Sequence, residues 1–173
     1  MADTNPDQGS PISVLFVCLG NICRSTMAEA VFRSLTAGNS RISCVDSAGT
    51  GAYNTGDSPD PRTLSTLADN GIVDYDHAAR TVQSADFAKF DYILAMDRDN
   101  LRDLQRMKQR VVKSDADSPQ GKVILFGDFG GRKGEAVIDP YYGANDGFDI
   151  AYEQMVRFSK GFLTDLLGLG AMD

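Results

Sequence analysis

Residues Ile12 to Val17, the run ISVLFV, admit few architectures. A strand with one solvated face alternates apolar and polar residues; this run is nearly all apolar and β-branched, so it reads as a strand covered on both faces. Such strands belong to parallel sheets, whose neighbours are joined by helical crossovers. The rest of the chain supplies them. From Arg24 the period changes to helical, with Met27, Val31 and Leu35 on one stripe and Ala28 and Phe32 beside it, ending near Gly38. Arg41 to Val45 reads as a second strand, followed by a glycine-rich stretch from Ser47 to Gly56. Asp60 and Pro61 form an N-cap and first-turn pair for a helix carrying Leu64, Leu67 and Ala68, stopped at Asn70-Gly71. Phe90 to Met96 is the next buried strand, and Asp97 caps a helix with Leu101, Leu104 and Met107. Lys122 to Phe126 is a shorter strand, Gly127 to Val137 a charged, glycine-rich, mobile loop, and Ala151, Met155, Phe158, Phe162 and Leu166 mark the last helix.

This alternation predicts an α/β fold: a single-domain, doubly wound, mostly parallel sheet of flavodoxin-like type, with helices on both faces. A length of 173 residues suits one domain, placed at residues 12–170 behind a polar, proline-interrupted and disordered tail over residues 1–11. Three cysteines, no apolar stretch near membrane-spanning length and no basic leader point to a cytoplasmic, reducing setting. With 17 basic against 24 acidic residues the net charge is −7, which supplies no broad positive field for nucleic acid or a membrane surface. An anion must be held locally.

The local holder is the segment Cys18-Leu19-Gly20-Asn21-Ile22-Cys23-Arg24, which joins the first strand to the first helix. A five-residue loop between Cys18 and Arg24 can curl so that its backbone N–H groups, from Leu19 through Cys23 to Arg24, converge on a tetrahedral oxyanion. Gly20 permits close approach and Asn21 tolerates a left-handed conformation. The helix N-terminus adds positive partial charge, which favours the thiolate of Cys18 as a nucleophile, and Arg24 can grip two equatorial oxygens with its planar fork. Alone, Cys18 would be a small buried hydrophobe and Arg24 a surface cation. Their placement between a buried strand and an amphipathic helix argues for chemistry.

The run Val17-Cys-Leu-Gly-Asn-Ile-Cys-Arg-Ser-Thr-Met-Ala-Glu29 closely resembles the signature of low-molecular-weight protein tyrosine phosphatases, and Asp139-Pro-Tyr-Tyr-Gly143 resembles their second signature. Similar order and spacing run through Asp46 to Gly49, Pro59 to Arg62 and Phe87 to Leu104, so the likeness spans about residues 12 to 168. It implies Cys18 as nucleophile, Arg24 as phosphate clamp and Asp139 as general acid, acting on phosphotyrosine proteins or small aryl phosphates and releasing inorganic phosphate. It also implies Tyr53, Tyr141 and Tyr142 as walls of an aromatic slot, and Asn21, Ser25, Ser47 and His77 as a polar network supporting the loop. The chain departs from the common pattern at Thr26, where many members carry proline.

Leu19 and Ile22 would extend the apolar wall of that slot. Cys23, in the same tight loop, can reach Cys18 for a reversible disulfide. No convergent metal-ligand spacing is present, so neither a metal nor another cofactor is expected. Arsenate reductases of the same fold are the nearest competitor, but those need further cysteines downstream and none follows Cys44. A non-catalytic phosphate-binding module would have no use for Cys18 and Asp139, and a flavin-binding carrier none for cysteine and arginine at the two ends of the loop.

Overall fold

β1 spans Ile12–Cys18, and its residues Val14 to Val17 are all fully shielded from solvent. Val14 and Phe16 pack into one apolar cluster while Leu15 and Val17 pack into another, so successive side chains serve opposite faces of the sheet. A computed structural model describes residues 9–143 and 146–168 of the chain. The tail expected over residues 1–11 lies outside it up to residue 8, as do residues 169 and 170; Gly9, Ser10 and Pro11 are exposed and precede the first strand.

The other strands are β2 (Ile42–Gly49), β3 (Tyr92–Ala95) and β4 (Lys122–Leu125), in the order β2-β1-β3-β4 and parallel throughout. The helices are α1 (Arg24–Leu35), α2 (Pro61–Asp69), the single turn α3 (Asp86–Lys89), α4 (Arg98–Ser114) and α5 (Gly147–Leu167). One face of the sheet is covered by α1 and α5, where Phe16 lies edge-on between Phe32 at 5.4 Å and Phe126 at 5.0 Å. Phe162 reaches Phe32 at 5.7 Å and Phe158 reaches Phe126 at 5.3 Å, so α5 closes this aromatic core. Fully burying each ring stabilises the fold by about 2–3 kcal/mol. The other face is covered by Phe87 of α3 and Leu104 of α4, with Leu101, Met107 and Val111 half-buried beside them. Among the described residues no helix is long and apolar enough to cross a membrane.

From β1 the chain moves to β2 on one side and then to β3 on the other. The strand order reverses there, and a crevice opens beyond the carboxyl ends of β1 and β3. Cys18 ends β1 and Asp97 caps α4 just after β3, with its Oδ1 accepting from the Asn100 N–H at 2.8 Å.

Two strand boundaries and one helix face differ from the sequence reading. β2 continues through Ser47, Ala48 and Gly49 because these pair with Phe16, Val17 and Cys18 of β1; small residues with weak strand preference are drawn in by their neighbour. On α2 the buried residues are Thr63, Thr66 and Leu67, whereas Ala68 is exposed and Leu64 only half-buried, so the stripe is rotated and partly polar. β3 is shorter than Phe90 to Met96, since Phe90 ends α3 and Met96 continues the ladder only through its N–H to the Val17 carbonyl. The 127–137 loop is tied down at several points. Gly134 N–H donates to Asp128 Oδ1 at 2.7 Å, Arg157 holds the Gly130 carbonyl and Glu135, and Val137 N–H donates to the Met96 carbonyl.

Candidate active site

Cys18 Sγ sits at the centre of the loop that joins β1 to α1. The backbone N–H of Asn21 donates to it at 3.3 Å, and Ser25 Oγ lies 3.1 Å away. Ser25 Oγ already accepts from Asn21 Nδ2 at 2.8 Å, so its own hydrogen is free to be given to sulfur. A sulfur receiving two hydrogens is suited to negative charge. The N-cap of α1 is Cys23, whose side chain makes no cap bond, so the first N–H groups of the helix have no side-chain acceptor. Thr26 fits the departure noted above: its hydroxyl donates to the Cys23 carbonyl at 3.0 Å.

Asn21 has φ 58°, the only positive φ of a non-glycine residue among those described. Its amide holds that strained conformation by using every bond it can make: Nδ2 donates to Ser25 and, at 3.0 Å, to Ser47 Oγ, while Oδ1 accepts from the Arg80 N–H at 3.0 Å and faces His77 Nε2 at 2.8 Å. The four residues expected to support the loop therefore do meet. The end of β2 presses on the loop from the other side. Thr50 and Gly51 N–H groups donate to the Cys18 and Leu19 carbonyls, and a Cβ on Gly49 would stand 2.6 Å from the Leu19 oxygen, so glycine is required there.

Because Asn21 Oδ1 is an acceptor, His77 carries a hydrogen on Nε2. Its Nδ1 then faces two carboxylates, Glu29 Oε1 at 3.5 Å and Asp46 Oδ1 at 3.8 Å. The sequence showed no metal-ligand spacing, yet the fold gathers these three groups with ligand-capable atoms within 4.8 Å of one another. Arg80 already pairs with Asp46 at 3.0 Å and Arg33 with Glu29 at 3.3 Å, so the cluster is arranged to share a proton rather than to collect a cation. Burial pushes the Glu29 carboxyl up to about 7, with Arg33 and the Ser47 hydroxyl opposing. Burial lowers His77 while Asp46 raises it. Tyr75, stacked on His77 and half-buried, is raised by the loss of solvent around it and by the Glu29 charge, and stays a neutral phenol.

The folded state thus holds a proton on this pair over a pH range in which an unfolded glutamate has lost it. Stability contributed here is full below about pH 4.5 and is lost as the pH rises through about 7, by roughly 3 kcal/mol in all. Urea midpoints at pH 5 and pH 8 should therefore converge in Glu29→Gln relative to wild type. An unchanged pH dependence in the variant would remove the buried proton.

Arg24 is buried, and its Nη1 end donates to Asp97 Oδ2 at 2.6 Å and to the Val137 carbonyl at 3.0 Å. Burial opposes its charge, but Cys18, Asp97 and Asp139 outweigh that and hold its pKa above the usual value. Nε and Nη2 have no hydrogen-bond partner among the described residues; Nη2 lies 3.7 Å from Asp139 Oδ2. Asp139 accepts from the Tyr141 N–H at 3.1 Å through Oδ1, at the start of a 3-10 turn formed by Pro140, Tyr141 and Tyr142.

These groups border one cleft of about 310 Å³, lined by Cys18 to Arg24, Tyr53, Asn54, Asp139, Tyr141 and Tyr142. Leu19, Tyr53 and Tyr142 are exposed at its mouth, the last at 88%. Every residue expected to act on or hold a substrate lies on this cleft. Sequence reasoning missed Glu29, Asp46 and Arg80 behind the loop and the tie from Asp97 to Arg24; Glu29 lies off the apolar stripe of α1 and is buried because the fold covers every residue from Arg24 to Phe32.

Residues 13–168 match the family described as Low molecular weight phosphotyrosine protein phosphatase. The protein of that name from Schizosaccharomyces pombe is 49% identical over 162 residues, covering 90% of this chain and 97% of the relative. The one from Homo sapiens is 47% identical, covering 87% of this chain and 93% of the relative. Among solved structures, DARP, drosophila arginine phosphatase, superposes with a TM-score of 0.78 at 39% identity, covering 87% of this chain and 95% of that one.

Proposed function

This chain belongs to the low molecular weight phosphotyrosine protein phosphatase family and is a hydrolase of phosphoprotein or aryl phosphate esters; from that premise we propose how its residues divide the chemistry. Cys18 Sγ attacks phosphorus and takes the phosphoryl group as a thiophosphate. Asp139 gives its proton to the departing phenolate, then takes one from the water that attacks the thiophosphate, and inorganic phosphate leaves. The loop N–H groups and the free edge of Arg24 hold the equatorial oxygens through both steps. What carries the reading is the convergence of Cys18, Arg24 and Asp139 on one cleft, with the arginine and the aspartate 3.7 Å apart. Arg24 and the loop N–H groups supply the positive charge from the chain itself, so the proposed steps call for no metal or other cofactor, and the net charge of −7 offers no broad field for nucleic acid or a membrane surface.

Leu19, Ile22, Tyr53, Tyr141 and Tyr142 make an apolar and aromatic surround in which Asp139 is the only carboxylate among the described residues. That favours a phenyl ring over a guanidinium, although a structural neighbour is an arginine phosphatase. Within the loop, burial pushes the Cys23 thiol up to about 12, ahead of the charges of Asp60, Cys18 and Asp139. Cys23 therefore waits as a neutral thiol and captures an oxidised Cys18 slowly, faster as the pH rises; activity recovered by reductant to the same extent in Cys23→Ser would exclude that pair. A reducing, cytoplasmic setting, tested by fractionation, keeps Cys18 reduced. The catalytic unit extends over residues 12–170, so a chain lacking residues 1–11 should retain activity.

The deciding experiment is single-turnover reaction of an aryl phosphate with EDTA present, in wild type and Asp139→Ala. The variant should lose roughly 10² to 10⁴ in rate for leaving groups that need a proton, and much less for those that do not. Quenching should trap phosphate on Cys18. Label on no cysteine, or turnover abolished by EDTA, would overturn the mechanism, and phosphoarginine turned over faster than phosphotyrosine would overturn the substrate class.

A further inference from the structure

The first turn of α2 touches both halves of the cleft. Asp60 caps this helix, its Oδ1 accepting from the Arg62 N–H at 2.8 Å, and its own N–H donates to the Ile22 carbonyl of the Cys18 loop at 2.8 Å. Thr63 Oγ1 donates to the Cys23 carbonyl at 3.4 Å. Arg62 faces the other way. Its Nε and Nη2 form a fork on the two Asp60 oxygens at 3.0 and 2.9 Å, while Nη1 donates to the Tyr141 carbonyl at 3.3 Å. The guanidinium also lies 5.1 Å from the Tyr141 ring centre and 4.8 Å from that of Phe148, a buried residue of the first turn of α5.

Every edge of this side chain is in use, although half of it is exposed. A salt bridge on the surface contributes little by itself. The contacts nevertheless share one geometric consequence. Tyr141 is the residue whose N–H binds Asp139 Oδ1, so whatever fixes Tyr141 also fixes the carboxyl of Asp139. Apart from Arg62, the short Asp139–Tyr142 turn is held by buried Pro140 packing beside Gly147 and by the pairing of Asp139 with Arg24 at 3.7 Å.

We propose that Arg62 is a positioning residue for Asp139: locked in a fork by Asp60, which is bonded to the Cys18 loop, it clamps the carbonyl and ring of Tyr141 and so sets the acid at its distance from the nucleophile. The inference rests on Asp139 being the general acid. It touches neither phosphorus nor leaving group, so its effect is confined to the proton-transfer step. A guanidinium is required because one flat group must fork on a carboxylate, donate sideways and stack on two rings at once.

The test is a series of aryl phosphates of graded leaving-group basicity, read as kcat/KM in wild type, Arg62→Met, Arg62→Lys, Asp139→Ala and the double variant Arg62→Met with Asp139→Ala. Arg62→Met should lose about 10-fold for the most basic leaving groups, a part of what the acid contributes. It should stay within about 2-fold of wild type for leaving groups that need no proton and in its inhibition constant for inorganic phosphate. Arg62→Lys should remain defective, and Arg62→Met should add nothing to Asp139→Ala, because a positioned acid that is absent cannot be misplaced.

A uniform loss across leaving groups, or phosphate binding weakened by the same factor, would make Arg62 a source of charge for the substrate and overturn the proposal. Full activity in Arg62→Lys or in Arg62→Met would also overturn it. If Asp139→Ala itself lost rate uniformly, the general-acid reading would fail and take this one with it. A leaving-group-selective loss in Asp139→Ala with none in Arg62→Met would reject Arg62 alone.

Discussion

Cys18→Ser should abolish turnover while leaving inorganic phosphate bound nearly as tightly as in wild type. A hydroxyl in place of the thiol keeps the cradle, because Asn21 N–H, Ser25 Oγ and Arg24 are positioned by contacts that do not involve the sulfur. It removes the sulfur that carries the phosphoryl group in the proposed mechanism. Serine holds its proton at neutral pH, and neither partner of Sγ is a base: Asn21 offers an N–H and Ser25 a hydroxyl already engaged by Asn21. The loss should be roughly 10⁴- to 10⁶-fold, on the scale seen when an enzyme loses its nucleophile. Single-turnover kinetics and phosphate titration by calorimetry read the two halves of the expectation. Activity within about 100-fold of wild type would show that the sulfur is not the acceptor, and loss of phosphate binding would show that it is part of the cradle.

Arg24→Lys should be nearly as inactive as Arg24→Ala, a fall of roughly 10² to 10³ or more. Charge is the lesser part of what this residue supplies. In the folded chain one end of the guanidinium is occupied by Asp97 and the Val137 carbonyl, which leaves the other nitrogens aligned toward the cleft. An ammonium is a single point: either it stays with Asp97 at the strand ends, or it moves to the phosphate and abandons a half-buried carboxylate. It cannot bridge. Steady-state rates with the same aryl phosphate settle the matter, and near wild-type turnover in the lysine variant would defeat the two-ended clamp. Asp97→Asn offers a check from the other side, because it keeps the helix cap while weakening the anchor of Arg24.

The sequence by itself determined the features that follow from short-range chain geometry. An apolar run with no alternation required a strand covered on both faces, and Val14 to Val17 divide between two clusters as that demands. A five-residue loop ending at a helix start, with an asparagine where the backbone turns left-handed, was legible because the path depends on the loop's own residues. The caps at Asp60 and Asp97 were legible for the same reason: a side-chain oxygen and an N–H two or three residues later are neighbours in any helix start. The second signature was readable as a family likeness, and it lines the same cleft as the first.

Only the tertiary structure decided which distant residues serve the loop. Arg24 and Asp97 are separated by 73 residues, Asn21 and His77 by 56, and Arg62 and Tyr141 by 79. No periodicity encodes such pairs, because each depends on how the crossovers stack the strands. The same holds for the strand β2 acquires beyond Val45, since Ser47, Ala48 and Gly49 have little preference for extended backbone and adopt it only beside β1. Glu29 shows the limit most clearly. In sequence it is one carboxylate on a helix; in the fold it has no exposed surface, shares its environment with His77, Asp46 and Tyr75, and holds a proton up to about pH 7, a property set by burial and by partners that the chain brings together only on folding.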